Sequence, residues 1–225
     1  MRSVALVRIG TWNLDGEWSD EHASVLVSLD CDVLLLTECP GGVSLPGHVS
    51  HATAGRVPGW KRQHWAAIMA TQPISPLPDP HPASASVRIG DLTFCSSVLP
   101  WLPVSKHWPW GSADHLGRVE EAVGALAGIL EGGATIWGGD WNQPLTGNIA
   151  GFSRAAQATI SSTLQVHDLA APTAELPGRP AGQFSIDHVA VPSGWTIREV
   201  GRIVADPTLS DHDAYWVDAS VRSEC

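Results

Sequence analysis

Apolar runs of strand length, each closed by a polar residue, recur along this chain, and stretches with helical spacing fall between them. Residues 4–11 are rich in β-branched side chains with a loose two-residue alternation, which predicts a strand running into Trp12 and Asn13. Residues 21–29 place Ala23, Leu26 and Val27 at helical spacing and predict a short amphipathic helix with Asp30 in its cap region. Residues 33–37 form a continuous apolar run, as a strand buried on both faces requires. Between Pro40 and Pro82 glycine and proline interrupt the pattern, and only residues 65–70 read as a strand. Residues 87–89 and 92–98, split by Gly90 and Asp91, predict a hairpin. A helix over 114–131 carries the apolar stripe Val119, Ala122, Val123, Leu126, Ile129 and Leu130 and stops at Gly132 and Gly133. A strand over 134–137, a second helix over 153–164 and closing strands over 185–191, 195–204 and 214–219 complete the pattern. Strands with interspersed helices and no internal repeat predict an α/β or α+β layered sandwich.

At 225 residues the chain is expected to form a single domain over 1–225, with a core large enough to need no staples. Apolar residues at 44% and charged residues at 16% exclude a disordered scaffold. The net charge of −10 makes the surface as a whole repel a phosphate backbone, which disfavours a nonspecific nucleic-acid binder. Cys31, Cys39, Cys95 and Cys225 match neither zinc-ligand spacing nor a disulfide framework, so reduced thiols and a cytoplasmic location are expected. No stretch of about 18 apolar residues suggests a membrane span.

The candidate chemistry lies where the strands end. Asn13, Glu38, Asp140 with Asn142, Asp187, and Asp211 with His212 each adjoin an apolar run. A carboxylate at the mouth of a buried strand is costly unless paired or metal-bound, so several such placements suggest one shared site. In an extended segment Asp140 and Asn142 would point the same way, and Gly138 and Gly139 before them would let backbone approach closely. Taken singly, each position has a plainer explanation: an Asx turn at Asp140, a surface acid at Glu38, a solvated turn at Asp211.

The ordered set changes that balance. Thr11-Trp12-Asn13-Leu14, Leu36-Thr37-Glu38, Gly138-Gly139-Asp140-Trp141-Asn142, Ser185-Ile186-Asp187-His188 and Leu209-Ser210-Asp211-His212-Asp213 together resemble the successive motifs of the endonuclease/exonuclease/phosphatase superfamily, the group with the deoxyribonuclease I fold. The resemblance implies a four-layer α-β-β-α sandwich of two packed mixed sheets flanked by helices. It also implies divalent-metal-dependent hydrolysis of phosphate esters with Mg²⁺, or Mn²⁺, as cofactor, by a phosphodiesterase or nuclease.

On that resemblance Glu38 is the first metal ligand, supported by Asn13 and Asp211, because Mg²⁺ takes one or two carboxylates and completes its shell with water and phosphate oxygens. Asp140 would activate the attacking water, Asn142 would position it or the phosphate, and His212, oriented by Asp187, would face the scissile phosphate. Arg118, near the start of the long helix, is the candidate substrate-binding residue, with a solvated position on the helix face as its alternative. The family's usual Tyr or His in the strand before that helix is missing around Val98; His107 or His115 is a substitute, against simple exposure of a loop histidine. Trp101, Trp108 and Trp110 crowd the loop 99–111, either as a stacking platform or, as the reading preferred for most of them, to rigidify it.

With the four proposed site carboxylates set aside, 19 acidic side chains still face 13 basic ones, and no basic stripe exists. A small phosphoester, or a short or single-stranded nucleic acid, therefore fits better than a long duplex. Phosphomonoesterase or lipid phosphodiesterase activity at the same site, and a catalytically silent binding module of the same fold, are the alternatives. No membrane and no protein partner are expected.

Overall fold

The computed structural model describes residues 6–55, 57, 63–102, 108, 111, 114–132, 134–147 and 150–221. Its elements are β1 (Leu6–Asn13), α1 (Asp20–Leu29), β2 (Val33–Pro40), β3 (Val49–Ala52), β4 (Gln63–Ala70), β5 (Ser75–Pro76), β6 (Ser84–Ile89), β7 (Leu92–Ser97), α2 (His115–Leu130), β8 (Thr135–Asp140), α3 (Arg154–Val166), β9 (Leu169–Ala170), β10 (Asp187–Pro192), β11 (Thr196–Ile203) and β12 (Ala214–Ser220). Every helix and strand expected from the pattern is present. The segment 40–82 holds two further strands, β3 and β5, which are short, pair with one neighbour each and carry little apolar signal.

Two six-stranded mixed sheets form, in the orders β11-β12-β1-β2-β4-β3 and β5-β6-β7-β8-β10-β9. Strand alternation builds three apolar layers. Ile9, Val33, Leu35 and Val217 of the first sheet meet Val87, Phe94, Ile136 and Val189 of the second. Trp12, Leu34, Leu36 and Met69 turn outward against Leu26 and Leu29 of α1. Cys95, Trp137 and Ala190 turn the other way against Val119, Leu126 and Ile160 of α2 and α3. The result is the four-layer α-β-β-α sandwich. No helix among the described residues is long and apolar enough to cross a membrane.

The helices begin where side chains satisfy their first amides: Ser19, Asp114 and Ser153 accept from the backbone N–H groups of His22, Gly117 and Ala156. Asp30 closes α1 in the left-handed conformation, φ 51°. Cys31, Cys39 and Cys95 are buried free thiols. Cys225 lies outside the described residues.

Under α2 the second sheet buries a polar chain. The Ala83 amide donates to His81 Nδ1 at 3.2 Å, so the neutral ring carries its proton on Nε2, 2.7 Å from Ser84 Oγ. Ser84 donates to Ser97 Oγ at 2.7 Å, and Trp137 Nε1 donates to the same oxygen at 3.0 Å. Burial pushes the His81 pKa down to about 3. The unfolded chain therefore binds a proton that the folded chain rejects, and stability contributed by neutral His81 is complete above the unfolded value near 6.5 and is lost as pH falls toward 3. Urea midpoints at pH 7 and pH 5 should show the wild type losing about 2 kcal/mol more than His81→Gln. Equal losses would show that His81 does not carry the acid sensitivity.

Gly139, at φ 120°, lies against β7 so closely that a Cβ would fall 2.2 Å from the Ser97 carbonyl oxygen. Gly139→Ala should lower stability by about 2 kcal/mol in thermal or urea melts, since both the conformation and the space exclude a side chain.

Candidate functional site

Strand parity brings the predicted residues together. Ile9, Thr11 and Asn13 of β1 share the face toward the second sheet, as do Ile136 and Asp140 of β8, and Val189 and Asp187 of β10. Asp187 pairs directly across from Asp140 in the antiparallel β8–β10 ladder. Three polar side chains thus end the inter-sheet layer at one edge of the sandwich. All three are buried.

Glu38 arrives by a different route. Leu34 and Leu36 face α1, and strict alternation would send Glu38 there too. Its backbone instead takes φ 47°, and Cys39, the next residue, is the one that joins the α1-facing core. The Glu38 carboxylate accepts from Asn13 Nδ2 at 3.2 Å and from Gln63 Nε2 at 3.0 Å. The same Asn13 nitrogen donates to Asp140 Oδ2 at 3.0 Å. One amide therefore fixes the separation of two carboxylates.

His212 closes the group from the loop before β12. Its Nδ1 lies 2.8 Å from Asp187 Oδ2, and its Nε2 lies 3.9 Å from Asp140 Oδ2 and 3.5 Å from Asp211 Oδ1. Its backbone is pinned on both sides: the amide donates to Ser210 Oγ, and the carbonyl accepts from Trp12 Nε1 and Arg179. Ser210 in turn donates to the Asn13 carbonyl, which ties the His212 loop to β1.

Burial and charge set the protonation states. Burial pushes the Asp140 pKa up to about 6, with His212 opposing and Asp187 adding to the rise. Glu38 is also raised, first by burial and then by Asp140, against the hydrogen bond from Asn13. Asp187 is raised by burial against the pull of His212. For His212 burial favours the neutral ring, but Asp187, Asp140 and Asp211 together outweigh it and hold the imidazole well above its usual value. The balance of charges favours an imidazolium at His212, partly exposed and held by the buried Asp187 carboxylate.

No protein-family model matches this chain, and no curated protein matches it in sequence. Its architecture does match solved structures. An endonuclease/exonuclease/phosphatase from Beutenbergia cavernae DSM 12333 superposes with TM-score 0.67 at 15% identity, over 96% of this chain and 72% of that one. The endonuclease domain of TRAS1, a telomere-specific non-LTR retrotransposon, gives 0.63 at 15% identity over 95% and 98%. The Bacteroides thetaiotaomicron VPI-5482 mannosyl-6-phosphatase Bt3783 gives 0.58 at 14% identity over 95% and 99%. The chain has the deoxyribonuclease I-like fold of the endonuclease/exonuclease/phosphatase superfamily.

Within that endonuclease/exonuclease/phosphatase fold Asn13, Glu38, Asp140, Asp187 and His212 converge as the motifs imply, while other predicted residues stand differently. Asn142 does not extend the strand. At φ 52° it folds back, its amide donating to Asp140 Oδ1 at 2.9 Å and its Nδ2 to the Leu99 carbonyl at 3.0 Å. This is the Asx turn, and it orients Asp140 while leaving Oδ2 toward Asn13 and His212. Asp211 is at the rim with its side chain 78% exposed. Arg118 stands half-buried in the first turns of α2. His115 is buried and bonds through Nε2 to the Pro100 carbonyl at 3.0 Å, so it braces the loop. His107 and Trp110 lie outside the described residues. Trp108 is buried, and its ring packs edge-on to Trp65 and Trp101, with centroids 5.7 and 6.2 Å away. These rings rigidify the loop.

Two residues were missed. Gln63 holds the second Glu38 oxygen from the first position of β4, inside the broken segment where no pattern marks it. Asp15 lies at the rim, close enough for Asp211 to raise its pKa, after burial, and for His212 to lower it. Its position two residues beyond Asn13, in the same motif, was the available signal.

Proposed function

We propose that this protein is a divalent-metal-dependent phosphoester hydrolase, most simply a phosphodiesterase with nuclease-like chemistry. The observation that carries the reading is the buried pairing of Asp140 with the Asp187-held His212, set against a second carboxylate, Glu38, across one shared amide. Asp140, with its pKa moved to about 6, is ionised near neutral pH yet basic enough to orient and deprotonate a water. His212 presents the Nε2 edge of an imidazolium to a phosphate and offsets the charge that grows on it in the transition state. Asp187 fixes which ring nitrogen faces the substrate.

The donor set suits a hard cation. Glu38 and Asp140 are buried carboxylates, Asp15 and Asp211 add acid at the rim, and the charges acting on Glu38 are Asp140, Asp15 and the single cation His212. Glu38 would hold Mg²⁺ or Mn²⁺, with Asp211 and Asp15 contributing rim charge; Asn13 would keep Glu38 and Asp140 at their working separation. Asp140, Asp187 and His212 also place one donor atom each within 4.8 Å of one another, but a protonated His212 does not ligate a metal, and the acid–base role suits that trio better. When bound, the ion would neutralise and polarise the phosphate. Arg118 is proposed as a phosphate contact at the start of α2, where amides and guanidinium both favour an anion. The acidic balance of the chain favours a small phosphoester or a short single strand as substrate.

The test is hydrolysis of bis(4-nitrophenyl) phosphate beside 4-nitrophenyl phosphate, each with and without Mg²⁺ or Mn²⁺. Metal-dependent turnover of the diester, faster than the monoester, is expected. A faster monoester would make the protein a phosphatase on the same residues, and silence on both and on short oligonucleotides would leave the binding-module reading.

A further inference from the structure

Beside His212 a cavity of about 210 Å³ opens between the loop 178–184 and the start of β12. Its walls include Phe152, Pro180, Phe184 and Ile186, and it shares Asp187 and His212 with the proposed reaction site. We propose that this cavity receives the organic group of the ester, and that the group is one uncharged ring. The proposal rests on the phosphoester reading and names the chemistry that the site selects.

Size, charge and rigidity support it. An enclosed dry cavity of roughly 150 Å³ accepts one benzene ring, so this pocket of about 210 Å³ has room for a single five- or six-membered ring with its substituents. Aromatic and aliphatic walls favour the apolar face of such a ring. A further phosphate is disfavoured because Asp187, Asp211 and Asp213 line the same space, and no lysine lines it among the described residues. The arginine that lines it among the described residues, Arg179, turns its Nη2 into the protein, donating to Asp213 Oδ1 at 3.0 Å, to the Ala205 carbonyl at 2.7 Å and to the His212 carbonyl at 3.2 Å.

The walls are built before any ligand arrives. Gly178 N–H donates to the Gln183 carbonyl at 2.8 Å, Gln183 N–H donates to Pro180, and Pro177 bridges Phe184. The Phe184 ring lies on Gly147, where a Cβ would come within 2.2 Å of Cε2. Tyr215 donates its hydroxyl to the Pro177 carbonyl at 3.0 Å from beneath. A preformed wall loses little entropy when a ring docks, so the contact reads out as affinity.

Calorimetric titration of the full chain in Mg²⁺ with phenyl-, cyclohexyl- and methylphosphonate separates the ring from the anion, and needs no turnover. Both ring compounds should bind at least about tenfold tighter than methylphosphonate, the return expected from burying one ring. Phe184→Ala should reduce that preference to about threefold or less without changing methylphosphonate affinity, and Phe184→Tyr should restore it. Phe152→Ala provides the same reading from a second lining residue should Phe184→Ala fold poorly. Phenyl preferred over cyclohexyl assigns an aromatic ring, and equal affinity assigns a saturated, sugar-like one. 1,4-Phenylenediphosphonate, with its second charge, should bind more weakly than phenylphosphonate. Equal binding of ring and methyl compounds by the wild type, or a preference that survives both alanine variants, overturns the proposal. Binding of none of them removes the phosphoester reading itself.

Discussion

Asp140→Asn should lower phosphodiester turnover by at least about a hundredfold, the scale of a lost general base, while the protein remains folded. The substitution keeps size and most of the local bonding: Asn142 N–H can still donate to Oδ1 and the backbone bond from Leu99 N–H to the residue 140 carbonyl is untouched, while the bond from Asn13 Nδ2 is lost because the new amide nitrogen is itself a donor. What it removes is the negative charge 3.9 Å from His212 Nε2 and the proton acceptor. A melting temperature close to wild type, together with lost turnover, would locate the effect in chemistry. Near wild-type turnover would show that Asp140 activates no water.

Asp213→Ala should cost about 3 kcal/mol of stability, the penalty for removing one partner from a buried ion group. The Asp213 side chain is fully buried, at 0% exposure, and gathers Arg179, Arg202 and the Ala205 amide. Its loss leaves two partly buried guanidinium groups, 24% and 19% exposed, without their shared buried partner. It also frees Arg179, which braces the His212 carbonyl, so turnover should fall with stability. Denaturant melts of Asp213→Ala and Asp213→Asn check the first effect; a loss under about 1 kcal/mol in both would mean that the arginines find water instead.

The layer order was legible because each apolar run has the length and parity of its element. Ile9, Leu35, Ile136 and Val189 fill the inter-sheet layer, while Trp12, Leu36, Trp137 and Ala190 turn away from it. The same parity made Asn13, Asp140 and Asp187 readable as one group, since each is the polar residue at the end of an inward-facing series. What sequence could not show was backbone conformation at single residues. The left-handed turns at Glu38 and Asn142, with φ 47° and 52°, swing one side chain into the site and fold the other back onto Leu99. At Asn142 the Asx-turn alternative was the available hint, whereas nothing in the pattern announced the change of direction at Glu38. Gln63 was hidden for another reason: it opens β4 at the end of a segment without periodicity, and its role exists only because β4 pairs antiparallel with β2, Gln63 opposite Pro40. The cavity beside His212 was equally invisible, since Phe152, Phe184 and Tyr215 come from three separate segments and meet only in the fold.

The measurement that bears most directly on the central claim is the initial rate of bis(4-nitrophenyl) phosphate hydrolysis by the full chain, first stripped of divalent ions with a chelator and then resupplied with Mg²⁺, with Asp140→Asn carried in parallel. The rate should fall on chelation to that of Asp140→Asn and return when Mg²⁺ is restored. Turnover indifferent to the chelator, or equal in the wild type and Asp140→Asn, would contradict the account.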